Sequence, residues 1–111
     1  MSNSNIVISN ALSLQMVDIP ATIVANPITV EEVHELLSTS LWSSAVGHPD
    51  TAAVMSGMTG ISIPANRVNV HLNPGDTLIV CQVTGGRLPE GATTLPEGIT
   101  LKWIKVDIAV G

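Results

Sequence analysis

The run TLIVCQV at residues 77–83 constrains the fold more than any other stretch of the chain. From 78 to 83 it is almost continuously apolar, the pattern of a central strand covered on both faces rather than of a strand with one wet side. Gly85 and Gly86 then break it. Ahead of it, Val68, Val70 and Leu72 alternate with Asn69 and His71, and Asn73-Pro74-Gly75-Asp76 sets proline and glycine in the type II turn positions. That pattern predicts a hairpin whose returning strand is TLIVCQV.

The remaining segments supply what such a strand must pack against. Residues 5–9 (NIVIS) predict a short strand, which ends at Asn10 in the loop NALSLQM. Residues 21–25 (ATIVA) predict a second, stopped by Asn26-Pro27. Thr29 with Glu32 three positions later matches a capping box, so a helix is expected from there to about Ser38, with Val33, Leu36 and Leu37 as its apolar stripe. Residues 42–46 are short and apolar and predict a strand. Pro49, Asp50 and Thr51 then open a second helix running to about Gly57, with Gly57 and Gly60 as its stop. Residues 85–98 are a loop rich in glycine and proline, and residues 99–110 predict the last strand. The apolar phase of that strand changes between Trp103 and Ile104, as a bulge or burial on both faces would require.

These elements describe one domain over residues 1–111, of class α/β or α+β: a small mixed β-sheet with a central hairpin and two or more helices packed on it. Charged residues make up 12% of the chain and hydrophobic residues 45%, an apolar excess that points to a homodimer interface. The net charge of −5 and only four basic residues argue against binding long nucleic acid, where affinity comes mainly from phosphate neutralisation. Any anionic ligand is therefore expected to be small. Cys81 stands alone, so no intrachain disulfide is possible and a reducing cytoplasm is expected. No apolar stretch approaches the ~20 residues of a membrane span, and the polar start MSNSN does not read as a signal peptide.

His48 falls at or just before the second helix, beside free backbone donors in a place suited to an anion such as phosphate. On spacing alone the favoured reading is the plainer one, a polar neighbour of the helix cap. His34, beside acidic residues, and His71, on an alternating strand, read as solvated. Arg67 and Arg87 are the only arginines, both in polar turn or loop contexts, and Glu90 could simply occupy a turn. His48 and Asp50 do not form a recognised metal-ligand spacing, so neither metal nor other cofactor is expected.

Several stretches taken together resemble the viral ring nucleases, type III anti-CRISPR proteins of archaeal viruses, bacteriophages and prophages. They are Asn10-Ala11-Leu12-Ser13-Leu14-Gln15-Met16, Ala45-Val46-Gly47-His48, Asn66-Arg67-Val68, Val80-Cys81-Gln82 and Arg87-Leu88-Pro89-Glu90-Gly91, in that order along the chain. The resemblance runs from about Ile6 to Val110. It implies a dimeric α/β protein that binds cyclic tetra-adenylate and cleaves it, without metal, to linear di-adenylate. It further implies a catalytic set of His48, Arg87 and Glu90, with Asn10, Ser13, Gln15, Gly47, Arg67 and Gln82 in contact with ligand. His48 would protonate the leaving oxygen, Arg87 would neutralise the reacting phosphate, and Glu90 would orient the histidine or help to activate the attacking hydroxyl. Leu12 stands where that family often has phenylalanine, and Gln15 where it often has asparagine. The host cell cytoplasm would be the place of action. The competing expectation is a non-catalytic protein of a virus or prophage, either a sponge for a cyclic nucleotide or a protein-interaction module. It would need the two arginines but not the acid.

Overall fold

A computed structural model describes residues 5–111, so the polar start at residues 1–4 lies outside the described part. Five strands and two helices follow one another as β1 (Ile6–Ser9), β2 (Ala21–Pro27), α1 (Val30–Thr39), β3 (Trp42–Ser44), α2 (Pro49–Thr59), β4 (Thr77–Thr84) and β5 (Thr100–Val110). A single 3-10 turn, Leu14–Met16, lies between the first two strands. The strands form one mixed sheet in the order β2-β5-β4-β1-β3. β1 runs parallel to both β3 and β4, whereas β5 is antiparallel to β4 and to β2.

β4 is the central strand that its composition predicts. Ile79 and Cys81 face one side, where they join Ile8, Trp103, Val33, Leu37 and Met55 beneath the helices. Leu78 and Val80 face the other side and pack with Val106, Ile108, Val17 and Leu72. This second core is covered by irregular chain, joined by the hydrogen bond from the Leu72 N–H to the Met16 carbonyl at 2.7 Å. The change of apolar phase in β5 is burial on both faces and not a bulge. Trp103 belongs to the helix-side core, Val106 and Ile108 to the other, and the register with β4 runs unbroken from Thr77↔Asp107 to Thr84↔Thr100.

The sheet has an antiparallel hairpin at its centre, but it is β4 with β5 and not 68–72 with β4. Both edges of β4 are taken, one by β1 and one by β5, which leaves no row of donors for residues 68–72. That segment is irregular and outside the sheet until Leu72, which bridges to Val17. The turn that follows is as expected: Gly75 has φ 95° and the Asp76 N–H donates to the Asn73 carbonyl at 2.9 Å. Buried Asp76 accepts from the Asn5 and Asn73 N–H groups and so fastens the turn to the start of β1.

Both helix starts follow the sequence signals. Thr29 Oγ1 accepts from the Glu32 N–H, and the Glu32 carboxylate accepts from the Thr29 N–H, each at 3.1 Å. α2 runs past Gly57 to Thr59 and stops at Gly60, whose φ of 74° is the left-handed conformation favoured by glycine. His34 is exposed, yet its Nδ1 donates to the Thr59 carbonyl at 2.6 Å, which ties α1 to the C-terminal end of α2. β3 is shorter than the predicted 42–46: the strand ends at Ser44, after which the Ala45 N–H donates to the Ile8 carbonyl at 2.8 Å and Val46 bridges to Ala65.

Candidate functional site

The parallel strands β3, β1 and β4 all end at one side of the sheet, and their exits hold the candidate chemistry. In open sheets of this kind the crevice beyond the carboxyl ends of parallel strands is where ligands bind. β1 ends into Asn10, β3 leads to Gly47 and His48, and β4 gives way to Gly85, Gly86 and Arg87. Between them lies a cleft of about 500 Å³, with Asn10, His48, Asp50, Thr51, Gly86, Arg87 and Leu88 around it and Cys81 and Val83 as its floor.

His48 is the N-cap of α2 by backbone, with φ −125° and ψ 122°, but its side chain makes no capping bond, so the ring stays available. Pro49 brings no N–H, and the first helical bond runs from the Ala52 N–H to the His48 carbonyl at 3.0 Å. The N–H groups of Asp50 and Thr51 therefore have no partner within the helix, and the positive end of the helix dipole lies at the cleft.

Gly47 links the strand ends. Its N–H donates to Asn10 Oδ1 at 3.1 Å, and a side chain built on it would meet Arg67 Cγ at 3.8 Å. The stem of Arg67 thus passes beside the histidine's neighbour. Asn66 holds it there, through its N–H to the Val46 carbonyl and its amide to the Ser44 carbonyl, each at 2.8 Å.

The 85–99 segment closes the other wall. It leaves β4 through Gly85 and Gly86, with φ 90° and 152°. It lies along α2, where a side chain on Gly57 would touch the Thr93 carbonyl at 3.8 Å, and it is tied to the helix start by the Gly91 N–H donating to Asp50 Oδ1 at 3.1 Å. Arg87 and Glu90 are both exposed and, among the described residues, form no ion pair with each other. Burial pushes the Cys81 thiol up to about 12, so it is protonated at neutral pH and a poor nucleophile.

Asn10, His48 and Arg87 are brought together at the cleft; Gly47, bonded to Asn10, and the stem of Arg67 beside it are not in its lining. Glu90 stands next to the tethered Gly91 but not in the cleft lining. Ser13 and Gln15 line a separate hollow of about 300 Å³ with Met16, Val68, Asn69 and Val70. Gln82 is exposed on the opposite sheet face, one step out of phase with Cys81 and Val83 and directly across from Lys102. A third cavity of about 470 Å³, between residues 66–71 and strands β1 and β3, holds neither His48 nor an arginine. The tether through Asp50 was not legible beforehand. Its only signal was an acidic residue in a first helical turn, which already had a helix-dipole explanation. Among the described residues no group of three or more His, Cys, Asp or Glu side chains converges, and no helix is long and apolar enough to cross a membrane.

A family model described as STIV B116-like matches residues 6–106. The chain is 39% identical over 67 residues to Uncharacterized protein 26 of Sulfolobus islandicus filamentous virus (isolate Iceland/Hveragerdi). That match covers 60% of this chain and 56% of the other, so the chain spans little more than half the length of that curated relative. Among solved structures, B116 of Sulfolobus turreted icosahedral virus superposes with a TM-score of 0.78 at 24% identity, over 94% of this chain and 99% of that one. Likeness at that identity is a likeness of fold.

Proposed function

Since the chain belongs to the STIV B116-like family of viral proteins, we propose that it is a viral ring nuclease, which binds cyclic tetra-adenylate across a homodimer and cuts it to linear di-adenylate. The reading rests on one observation above the others: Asn10, His48 and Arg87 line one cleft beyond the ends of three parallel strands, and the stem of Arg67 passes beside Gly47, the neighbour of His48. The ordered motifs that resemble the viral ring nucleases support it.

The chemistry asks little of the protein. Each ribose of the ring carries a 2′-hydroxyl that can attack the adjacent phosphorus once the backbone is bent into line. As the 2′-oxygen bonds to phosphorus and gives up its proton to water, the bond to the 5′-oxygen breaks, that oxygen takes up a proton and a 2′,3′-cyclic phosphate forms. Holding that geometry, stabilising the transition-state charge and protonating the leaving oxygen are the tasks left to the enzyme. His48 is the candidate acid, since imidazole exchanges a proton near neutral pH and its ring is not engaged in capping. Arg87 and the unpaired N–H groups at the start of α2 are suited to the anionic phosphorus centre, and Arg67 to a second phosphate. Glu90 takes part only through movement of its loop or through its carboxylate's field, because it does not line the cleft. Removal of the messenger would switch off type III CRISPR signalling in the host cytoplasm.

Incubation with internally radiolabelled cyclic tetra-adenylate, with and without EDTA, tests the reading. Linear di-adenylate ending in a 2′,3′-cyclic phosphate, formed equally in EDTA, is the expected result. Recovery of intact ring from a tight complex would make the protein a sponge, and no binding at all would remove the nucleotide reading.

A further inference from the structure

The cleft contains a carboxylate where an anion-binding site should disfavour one: Asp50 lines it beside Arg87 and the start of α2. We propose that Asp50 is a positioning residue, which holds the loop that bears Arg87 and Glu90 at the start of α2 through its bond to the Gly91 N–H; the inference rests on the ring-nuclease reading of the cleft. Three observations carry it. The bond joins residues 41 positions apart, at 3.1 Å, and it spans from the helix that begins at His48 to the loop that bears Arg87 and Glu90. Gly91 has φ 80° with open space where a side chain would stand, so its backbone N–H bond to Asp50 is the tie at this residue, beside the approach of the Thr93 carbonyl to Gly57. Finally, one carboxylate oxygen committed to a backbone donor explains why a negative group is tolerated beside the site.

Because Asp50 is one residue into the helix from Pro49, any shift of the loop relative to α2 moves Arg87 and Glu90 relative to His48. Displacement of a catalytic group by about 1 Å can cost roughly 10²-fold in rate. The role is therefore positional and requires an acceptor rather than a charge.

Asp50→Ala and Asp50→Asn separate the two, since both remove the charge and only asparagine keeps an oxygen for Gly91. Hydrogen–deuterium exchange of residues 85–99 in the ligand-free protein should quicken roughly two- to tenfold in Asp50→Ala, as loss of one net hydrogen bond implies. It should stay near the parent value in Asp50→Asn. Single-turnover cleavage of cyclic tetra-adenylate should fall at least tenfold in Asp50→Ala and recover to within about threefold of the parent in Asp50→Asn. Unchanged exchange in Asp50→Ala, or an Asp50→Asn variant as slow as Asp50→Ala, would overturn the proposal. If the parent protein leaves the ring intact, the ring-nuclease reading fails and the exchange comparison alone decides whether Asp50 tethers the loop.

Discussion

His48 is held at its backbone and free at its ring, the combination a proton donor needs. Its carbonyl starts the α2 hydrogen-bond ladder while its imidazole is exposed and makes no capping bond. Replacement by alanine should therefore spare the helix and remove only the acid. In His48→Ala the single-turnover rate should drop by roughly 10²–10⁴-fold while the dissociation constant for cyclic tetra-adenylate moves little, because the lost interaction belongs to the transition state. A fully active variant would assign the proton transfer elsewhere. The position of this histidine was legible because Pro49 and Asp50 mark a helix start in the sequence. Arg67 and Arg87 were legible only as the two arginines; that Arg87 lines the cleft and that the stem of Arg67 passes beside Gly47 depend on the path of a loop and on a non-local approach, neither of which leaves a local pattern. Gln82 shows the limit from the other side. It follows Cys81 directly, and strand alternation turns it to the face away from the cleft.

The loop between β4 and β5 carries the site only because its two ends are pinched together. A side chain on Gly85 would stand 2.1 Å from the Gly98 carbonyl oxygen, backbone against backbone, at a φ of 90°. Gly91 also has positive φ, 80°, but open space around it. Alanine at 91 should cost about 1 kcal/mol for the left-handed conformation alone. Alanine at 85 must in addition spread the base of the loop, and should cost about 2–4 kcal/mol, read as a thermal midpoint several degrees below that of Gly91→Ala. Equal midpoints would mean that the base of the loop opens without resistance. The elements themselves were mostly legible. The capping box, the Pro49 start, the strand at 78–83 and the strand at 21–25 each rest on local chemistry, and each is present. The 68–72 hairpin was misread because alternation describes which side chains can share a face, not which strand edges are free. Edges are settled by non-local pairing, and β1, more than sixty residues away in sequence, had already taken one side of β4.

At the scale of the molecule, the parallel order β3-β1-β4 makes the cleft, and no sequence pattern carried it, since each of those pairings joins distant segments. Charge, by contrast, was legible from composition and leads to the assembly. On the proposed function, a ring of four phosphates would bring four negative charges to a chain with net charge −5 and two arginines. Two copies about a twofold axis offer four arginines to such a ligand, and symmetry gives each half of the ring the same His48. The apolar surface is consistent with this: Leu12, Leu14 and Val68 are 37%, 66% and 53% exposed, and Val68 shares a hollow with Ser13 and Gln15. Native mass measurement at micromolar concentration should accordingly return twice the 11.5 kDa chain. Leu14→Asp, which puts a charge on the apolar patch while leaving the core untouched, should yield a folded monomer that binds cyclic tetra-adenylate at least tenfold more weakly, as loss of half the arginines implies. A parent protein that is monomeric by mass and still cleaves the ring at full rate would show that one chain's two arginines suffice, and the twofold arrangement would have to be abandoned.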